Sequence, residues 1–275
     1  MKRRPIALFL LCAVLCGCSH SAGAPKDTPI VVTGEELTSL FNAAVEKLAA
    51  AESYRMIGNV TSTAEVISAD GSGEVVTLHS PVLTTVENGS FLNSSDGGDM
   101  PHTTYFDGTQ YYLTLPADGE DIHYRTDSND YCDFPATAYL KTVNAEAVFQ
   151  PSVIPAEGGG NMLTFDIPCA LYDSEAVYGW LGSFLDEMHA AQELHISVSI
   201  NPDGYPTSLY LFFSTVTPLG DDSIRQELAA GLNFYDFDSA SLMPPSDLAV
   251  YEDWSESDPT ADSAGFVEIP PEDLD

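Results

Sequence analysis

Residues 33–67 read TGEELTSLFNAAVEKLAAAESYRMIGNVTSTAEVI, and the change of period inside this stretch decides the fold. Thr33 and Glu36 have the spacing of a capping box, with Val32 and Leu37 placed as a hydrophobic staple across it. Leu37, Leu40, Phe41, Ala44, Val45 and Leu48 then recur every three or four residues, while Glu35, Glu36, Asn42, Glu46 and Lys47 take the other side. This predicts an amphipathic helix ending near Ala51. From Ser53 the period falls to two. Tyr54, Met56, Val60, Ala64 and Val66 share one face, and Arg55, Asn59, Thr61, Thr63 and Glu65 share the other, as in a long half-buried strand.

Downstream, Asp70-Gly71-Ser72-Gly73 reads as a turn and 74–87 as the return strand, followed by a Gly/Ser/Asp/Asn-rich loop over 88–101. Residues 103–106 and 109–115 flank Asp107-Gly108 as a hairpin of the type I′ kind, with 122–126 as the next strand. A short helix is expected within 136–148, a loop over 151–160 and a strand over 161–167. Residues 174–190, carrying Val177, Trp180, Leu181, Phe184, Leu185 and Met188, have the pattern of a second amphipathic helix. Leu194, Ile196, Val198 and Ile200 alternate with polar residues, Asn201-Pro202-Asp203-Gly204 turns the chain, and 208–216 and 223–235 are two further strands. Helices interspersed with meandering hairpins define an α+β domain whose sheet is mostly antiparallel.

Charge excludes whole classes of partner. The 275 residues include nine Lys+Arg against 42 Asp+Glu, a formal net charge of −33, with 44% hydrophobic residues to build a core. Such a field repels phosphate backbones, whose binding requires cations that displace counterions, so nucleic acid is excluded. It equally repels anionic headgroups, which leaves peripheral electrostatic attachment to a membrane without a basis.

The N-terminus supplies another route to a membrane. Lys2, Arg3 and Arg4 precede an apolar run from Pro5 to Val14, and Leu15-Cys16-Gly17-Cys18 follows. A charged head and a short apolar centre describe an export signal. The run is shorter than the ~20 residues that span a bilayer as a helix. The ending resembles the lipobox of bacterial lipoproteins. That resemblance implies cleavage before Cys18, lipidation of Cys18 and anchoring at the extracytoplasmic face of the cell membrane; the alternative is a plain signal peptide with a chance cysteine. With the three signal cations removed, six Lys+Arg remain and the mature charge is near −36. The expected organisation is a signal over 1–17, lipidated Cys18 and a flexible tether over 18–32, one domain over 33–246, and an acidic, proline-rich, largely disordered tail over 247–275.

The order lipobox, tether, helix, long strand from Ser53-Tyr54 and meandering hairpins resembles a group of bacterial lipoproteins whose fold is similar to the lipoprotein-localisation factors and the LppX/LprG-type lipid carriers. The resemblance covers 33–246 and implies a strongly curved, half-open β-barrel with helices packed on its concave side. It further implies a non-enzymatic binding module for a lipid or other apolar ligand. The other reading is an envelope protein–protein interaction or sensing module without a small-molecule ligand.

The chain holds no Gly-x-Ser-x-Gly elbow, Ser-x-x-Lys set or His-Glu-x-x-His helix, and no cofactor signature. His189, Glu193 and His195 straddle a helix end and a strand start, so a solvated edge accounts for them better than a metal site. Acids around Asp70–Glu74 and Asp96–Asp99 lack the regular oxygen spacing of a calcium loop. Cys132 and Cys169 form either a disulfide, natural outside the cytoplasm, or two separately buried thiols. Tyr54, Met56, Tyr105, Tyr111 and Phe213 are candidate lining for an apolar ligand, against the alternative that the helix faces fill the same concavity.

Overall fold

The computed structural model describes residues 29–68, 73–98, 101–117, 119–127, 135–156, 158–172, 174 and 193–253. The signal, Cys18, the tether up to Thr28, Cys132, the expected helix over 174–190 beyond Ser174 and the tail beyond Asp253 lie outside them.

The order of elements is β1 (Ile30–Val31), α1 (Gly34–Ala49), β2 (Ser53–Ile67), β3 (Gly73–Glu87), β4 (Ser90–Ser94), β5 (Thr103–Phe106), β6 (Tyr111–Leu115), β7 (Ile122–Thr126), α2 (Ala136–Tyr139), β8 (Phe149–Pro155), β9 (Asn161–Pro168), β10 (Glu193–Ile200), β11 (Pro206–Leu219), β12 (Asp222–Tyr235) and β13 (Glu252–Asp253). Among the described residues these thirteen strands form a single sheet in the order β1-β8-β9-β10-β11-β12-β2-β3-β4-β5-β6-β7-β13. All pairs are antiparallel except β13 with β7, and the end strands β1 and β13 do not pair with each other, so the sheet is open.

The α1 N-terminus forms as its residues dictate. Thr33 Oγ1 accepts from the Glu36 amide at 3.2 Å, and Glu36 Oε2 accepts from the Thr33 amide at 2.9 Å. These reciprocal bonds satisfy donors that the first turn would otherwise leave open. Leu37, Phe41, Ala44, Val45 and Leu48 face the sheet, where Phe41 meets Phe165 of β9 edge-on at 5.1 Å and 77°. The polar side is tied down as well: Asn42 Nδ2 donates to the Val143 carbonyl and Asn42 Oδ1 accepts from the Val143 amide, both at 2.9 Å. Lys47 donates to the Asp203 carbonyl and lies over the Tyr205 ring.

The face that receives α1 is here termed the inner face. Strand alternation carries it through the whole sheet: Leu163, Val198, Leu209, Leu232 and Val82 are buried on it, as are Phe165, Ile196, Leu211, Ala230 and Val60. On the outer face a smaller cluster gathers Tyr105, Tyr112 and Tyr251 with Leu92, Leu242 and Leu248. Residues 247–253, expected in the tail, belong to this layer. β13 adds to β7, and Arg125 Nε donates to Asp253 Oδ1 at 2.5 Å.

Four elements differ from expectation. Residues 30–31, expected in the flexible tether, instead form β1 by pairing with β8. The loop predicted over 88–101 contains β4, because Asn88 (φ 50°) and Gly89 (φ 83°) close a tight hairpin out of β3. The loop predicted over 151–160 begins with β8, which tolerates Pro151 beside a register shift between Phe149 and Ser152. The β5–β6 connection is not a two-residue I′ turn. Asp107 Oδ1 instead accepts from the Thr109 amide at 2.8 Å and the Gln110 amide at 2.9 Å, building a four-residue turn around the carboxylate.

Candidate functional site

Beyond the reach of α1 the inner face continues across β2–β7, and the ladder register fixes which side chains share it. One row runs Phe234, Met56, Thr84, Asn93, Thr104, Leu113, Tyr124 from β12 to β7. The next runs Tyr54, Val86, Phe91, Phe106, Tyr111, Thr126. In it, Phe106 stacks on Tyr111 at 4.5 Å, and Phe91 approaches Phe106 at 5.6 Å and Tyr111 at 6.2 Å. Arg55, Arg125 and Arg225 all fall on the outer face by the same alternation, each engaged by an acid: Asp236, Asp253 and Glu65.

The long strands overshoot their neighbours. β10 pairs β11 only over 206–213, and β4 pairs β3 only over 83–87, so the far halves of β11, β12, β2 and β3 project as a four-stranded ribbon. On its inner face Val66, Val76 and Leu78 are 38%, 54% and 41% exposed, directly continuing a face on which Val60 and Leu228 are buried. No described element covers them. Adjoining part-exposed aliphatic side chains thus prolong the core face beyond its covered part.

The five candidate lining residues separate. Tyr54, Met56 and Phe213 are buried in the main core on the inner face, and Tyr111 is half-buried farther along that face. Tyr105 points to the outer face, where it packs on Tyr112 at 5.7 Å. Its neighbour Phe106 is the inner-face aromatic of β5. Burial pushes the Tyr54 phenol up to about 12, partly opposed by the Ala136 and Thr137 backbone. Thr84, Asn93 and Phe91 were not singled out by composition or period; the signal that would find them is strand parity once β4 is recognised.

Chemistry elsewhere is sparse. Cys169 is a buried free thiol whose pKa burial raises to about 12, and its candidate partner Cys132 lies outside the described residues. His195 Nδ1 lies 2.7 Å from Asp166 Oδ1 on the outer face, a partner other than Glu193, and no cluster able to hold a metal occurs among the described residues. No described helix is long and apolar enough to cross a membrane.

No protein-family model and no curated protein matches the chain. Among solved structures it is similar to the lipoprotein LppX of Mycobacterium tuberculosis, with 14% identity, 76% of this chain and 99% of that one covered, and a TM-score of 0.39. It is similar to LprF of Mycobacterium bovis at 8% identity, with 77% and 97% covered and a TM-score of 0.41. A LolA superfamily protein of Nitrosomonas europaea is similar at 10% identity over 77% and 96% of the two chains, with a TM-score of 0.24.

Proposed function

We propose that this chain is an extracytoplasmic lipoprotein, anchored through Cys18, that holds the apolar part of a lipid or other apolar ligand against the inner face of its sheet without catalysing a reaction. The observation that carries the reading is the uncovered stretch Val66, Val76, Leu78 in line with the buried core face. Covering three half-exposed aliphatic residues contributes about 3 kcal/mol, whereas an acyl chain gains ~0.8 kcal/mol for each CH₂ of its own that leaves water. The ligand's own burial therefore dominates, and the protein's part is to offer a dry wall. Sheet size fits the same reading. Thirteen strands at ~4.8 Å spacing would span roughly 60 Å if flat, and α1, 16 residues long, measures about 24 Å. A sheet that much wider than the helix leaves room, in the proposed half-open barrel, for an apolar ligand beside α1.

Protein purified without detergent should yield a stoichiometric lipid on organic extraction and mass spectrometry, and delipidated protein should take up a fluorescent fatty-acyl probe. A clean extract with no uptake refutes the binding module. Cys18→Ala should abolish incorporation of labelled fatty acid and release the protein from membranes; equal membrane retention refutes the anchor. A second reading has its own support. β3 carries no strand partner beyond β2 over 74–78 among the described residues, an edge that an extended segment of an envelope protein could join. Crosslinking from Val75 that captures a partner while the lipid extract is empty favours it.

A further inference from the structure

Around the row through Met56 and Leu113 the inner face of β2–β7 is mostly apolar, and a cluster of polar side chains interrupts it. Thr84, Asn93 and Thr104 sit side by side on three neighbouring strands, each fully buried, between Met56 and Leu113 in the same row. Burying an amide costs free energy unless its groups are bonded. One half of the Asn93 amide is satisfied: Thr84 Oγ1 donates to Asn93 Oδ1 at 2.6 Å. The other half is not. Asn93 Nδ2, at 0% residue exposure, has no hydrogen-bond partner. The bond from Thr84 fixes the amide, so the NH₂ group is held as a directed donor on a wall otherwise made of Met56, Val86, Phe91, Leu113 and Tyr111.

Resting on the reading that this face binds an apolar ligand, we infer that Asn93 Nδ2 donates a hydrogen bond to a neutral acceptor on that ligand, the carbonyl of an acyl ester or amide. The donor is uncharged. The arginines of β2, β7 and β12 stand on the opposite face, each against an acid, and no Lys or Arg occupies an inner-face position of the described strands. The ionisable side chain at the nearby end of this wall is His102, whose Nδ1 lies 2.8 Å from Ser95 Oγ. A fatty carboxylate would bring an anion, without a fixed cation to meet it, into a molecule of net charge −33. A carbonyl carries the acceptor without the charge, so esters and amides are selected over free acids and over plain hydrocarbons.

Delipidated full-length protein is titrated at pH 8 with three probes of one chain length: the methyl ester of a fatty acid, the free acid and the alkane. The wild type should bind the ester about tenfold more tightly than the alkane, the size of one hydrogen bond to an otherwise unpaired buried donor, and more tightly than the acid. Asn93→Leu should bring the ester to the alkane's affinity while leaving the alkane unchanged. Thr84→Val, which keeps the amide but removes its anchor, should give a partial loss of ester preference and covers the case in which Asn93→Leu does not fold. Ester and alkane bound equally by the wild type, or both weakened together in a folded variant, overturn the inference and leave the apolar site standing. Failure of the wild type to bind any of the three removes the apolar site, and the inference with it.

Discussion

Gly58 and Gly231 lie on paired strands one register position apart, yet they should respond oppositely to the same substitution. A Cβ on Gly58 would stand 2.0 Å from the Gly231 carbonyl oxygen, 2.8 Å from Leu232 Cα and 2.9 Å from the Gly231 carbonyl carbon. Ordinary contact begins near 3.4 Å, so β2 and β12 would have to separate by about 1.4 Å, the difference between 3.4 and 2.0 Å. Ladder bonds with N···O near 2.9 Å do not survive such a displacement. Losing about two of them and overpacking the wall costs roughly 3 kcal/mol for Gly58→Ala. Gly231 is different: an added Cβ meets nothing within 4 Å, and replacing a strand glycine recovers up to about 0.5–1 kcal/mol of backbone entropy. Urea unfolding followed by circular dichroism reads both. With a slope of ~2.5 kcal/mol/M the Gly58→Ala midpoint should fall by about 1 M, while Gly231→Ala stays level or rises. A Gly58→Ala midpoint within experimental error of wild type, or equal damage from both substitutions, would refute the close approach of these two strands.

The thiol of Cys169, buried and raised to about 12, should resist iodoacetamide at neutral pH and react once the chain is unfolded. Labelling of both Cys132 and Cys169 after unfolding without reductant fits the free thiol, and labelling of neither establishes a disulfide. Bonds from Thr33 hold the Glu36 carboxyl below its usual value, so its contribution is complete above the unfolded carboxylate range and drains away as pH falls through the folded value. Glu36→Gln should flatten that part of the acid limb, and Thr33→Ala should cost about 1 kcal/mol at neutral pH; an unchanged acid limb in Glu36→Gln defeats the argument. Val76→Glu, at a position 54% exposed, should shift stability by less than ~0.5 kcal/mol yet sharply reduce uptake of a fatty-acyl probe. Retained uptake would take the ribbon out of the binding surface.

α1 could be read from the chain because everything that specifies it is local: the Thr33–Glu36 box, the spacing of Leu37, Phe41 and Leu48, and the polar residues between them. β2, β3, β10, β11 and β12 were legible for the same reason, being long enough for a period of two to declare itself. β4 was not. Ser90–Ser94 sits in a run of Gly, Ser, Asp and Asn that composition assigns to a loop, and only pairing with β3 and β5 buries Phe91 and Asn93. The phase of β5 was equally hidden. Thr103-Thr104-Tyr105-Phe106 offers one threonine and one aromatic to either face, so four residues cannot say that Phe106 points inward and Tyr105 outward. Asn93 illustrates the limit most clearly: its meaning comes from fully buried neighbours on adjacent strands, contacts that no local period encodes.

A chain this acidic must put its charge somewhere while it buries a core, and the register shows how. Along β2 the inner positions from Tyr54 to Val66 are Tyr, Met, Gly, Val, Ser, Ala and Val; along β3 those from Val76 to Val86 are Val, Leu, Ser, Val, Thr and Val. The same holds for the inner positions of β4–β7 and β9–β11. Charged strand residues on this side occur at the margins of the described sheet, at Glu74 and Asp222 toward the ribbon tip and at Glu252 on the edge strand β13. The outer face carries Arg55, Glu65, Asp166, Glu193, Arg225 and Glu227, where water meets the cost of ionisation. Burial alone would require the inner face to be apolar only where it is covered. That it stays uncharged out to Val66, Val76 and Leu78, beyond any described covering element, means the segregation of charge extends farther than the core needs. A surface kept largely free of charge while aliphatic groups stay in water is what the proposed neutral, apolar occupant would require, and such an occupant would give the unpartnered Asn93 amide an acceptor.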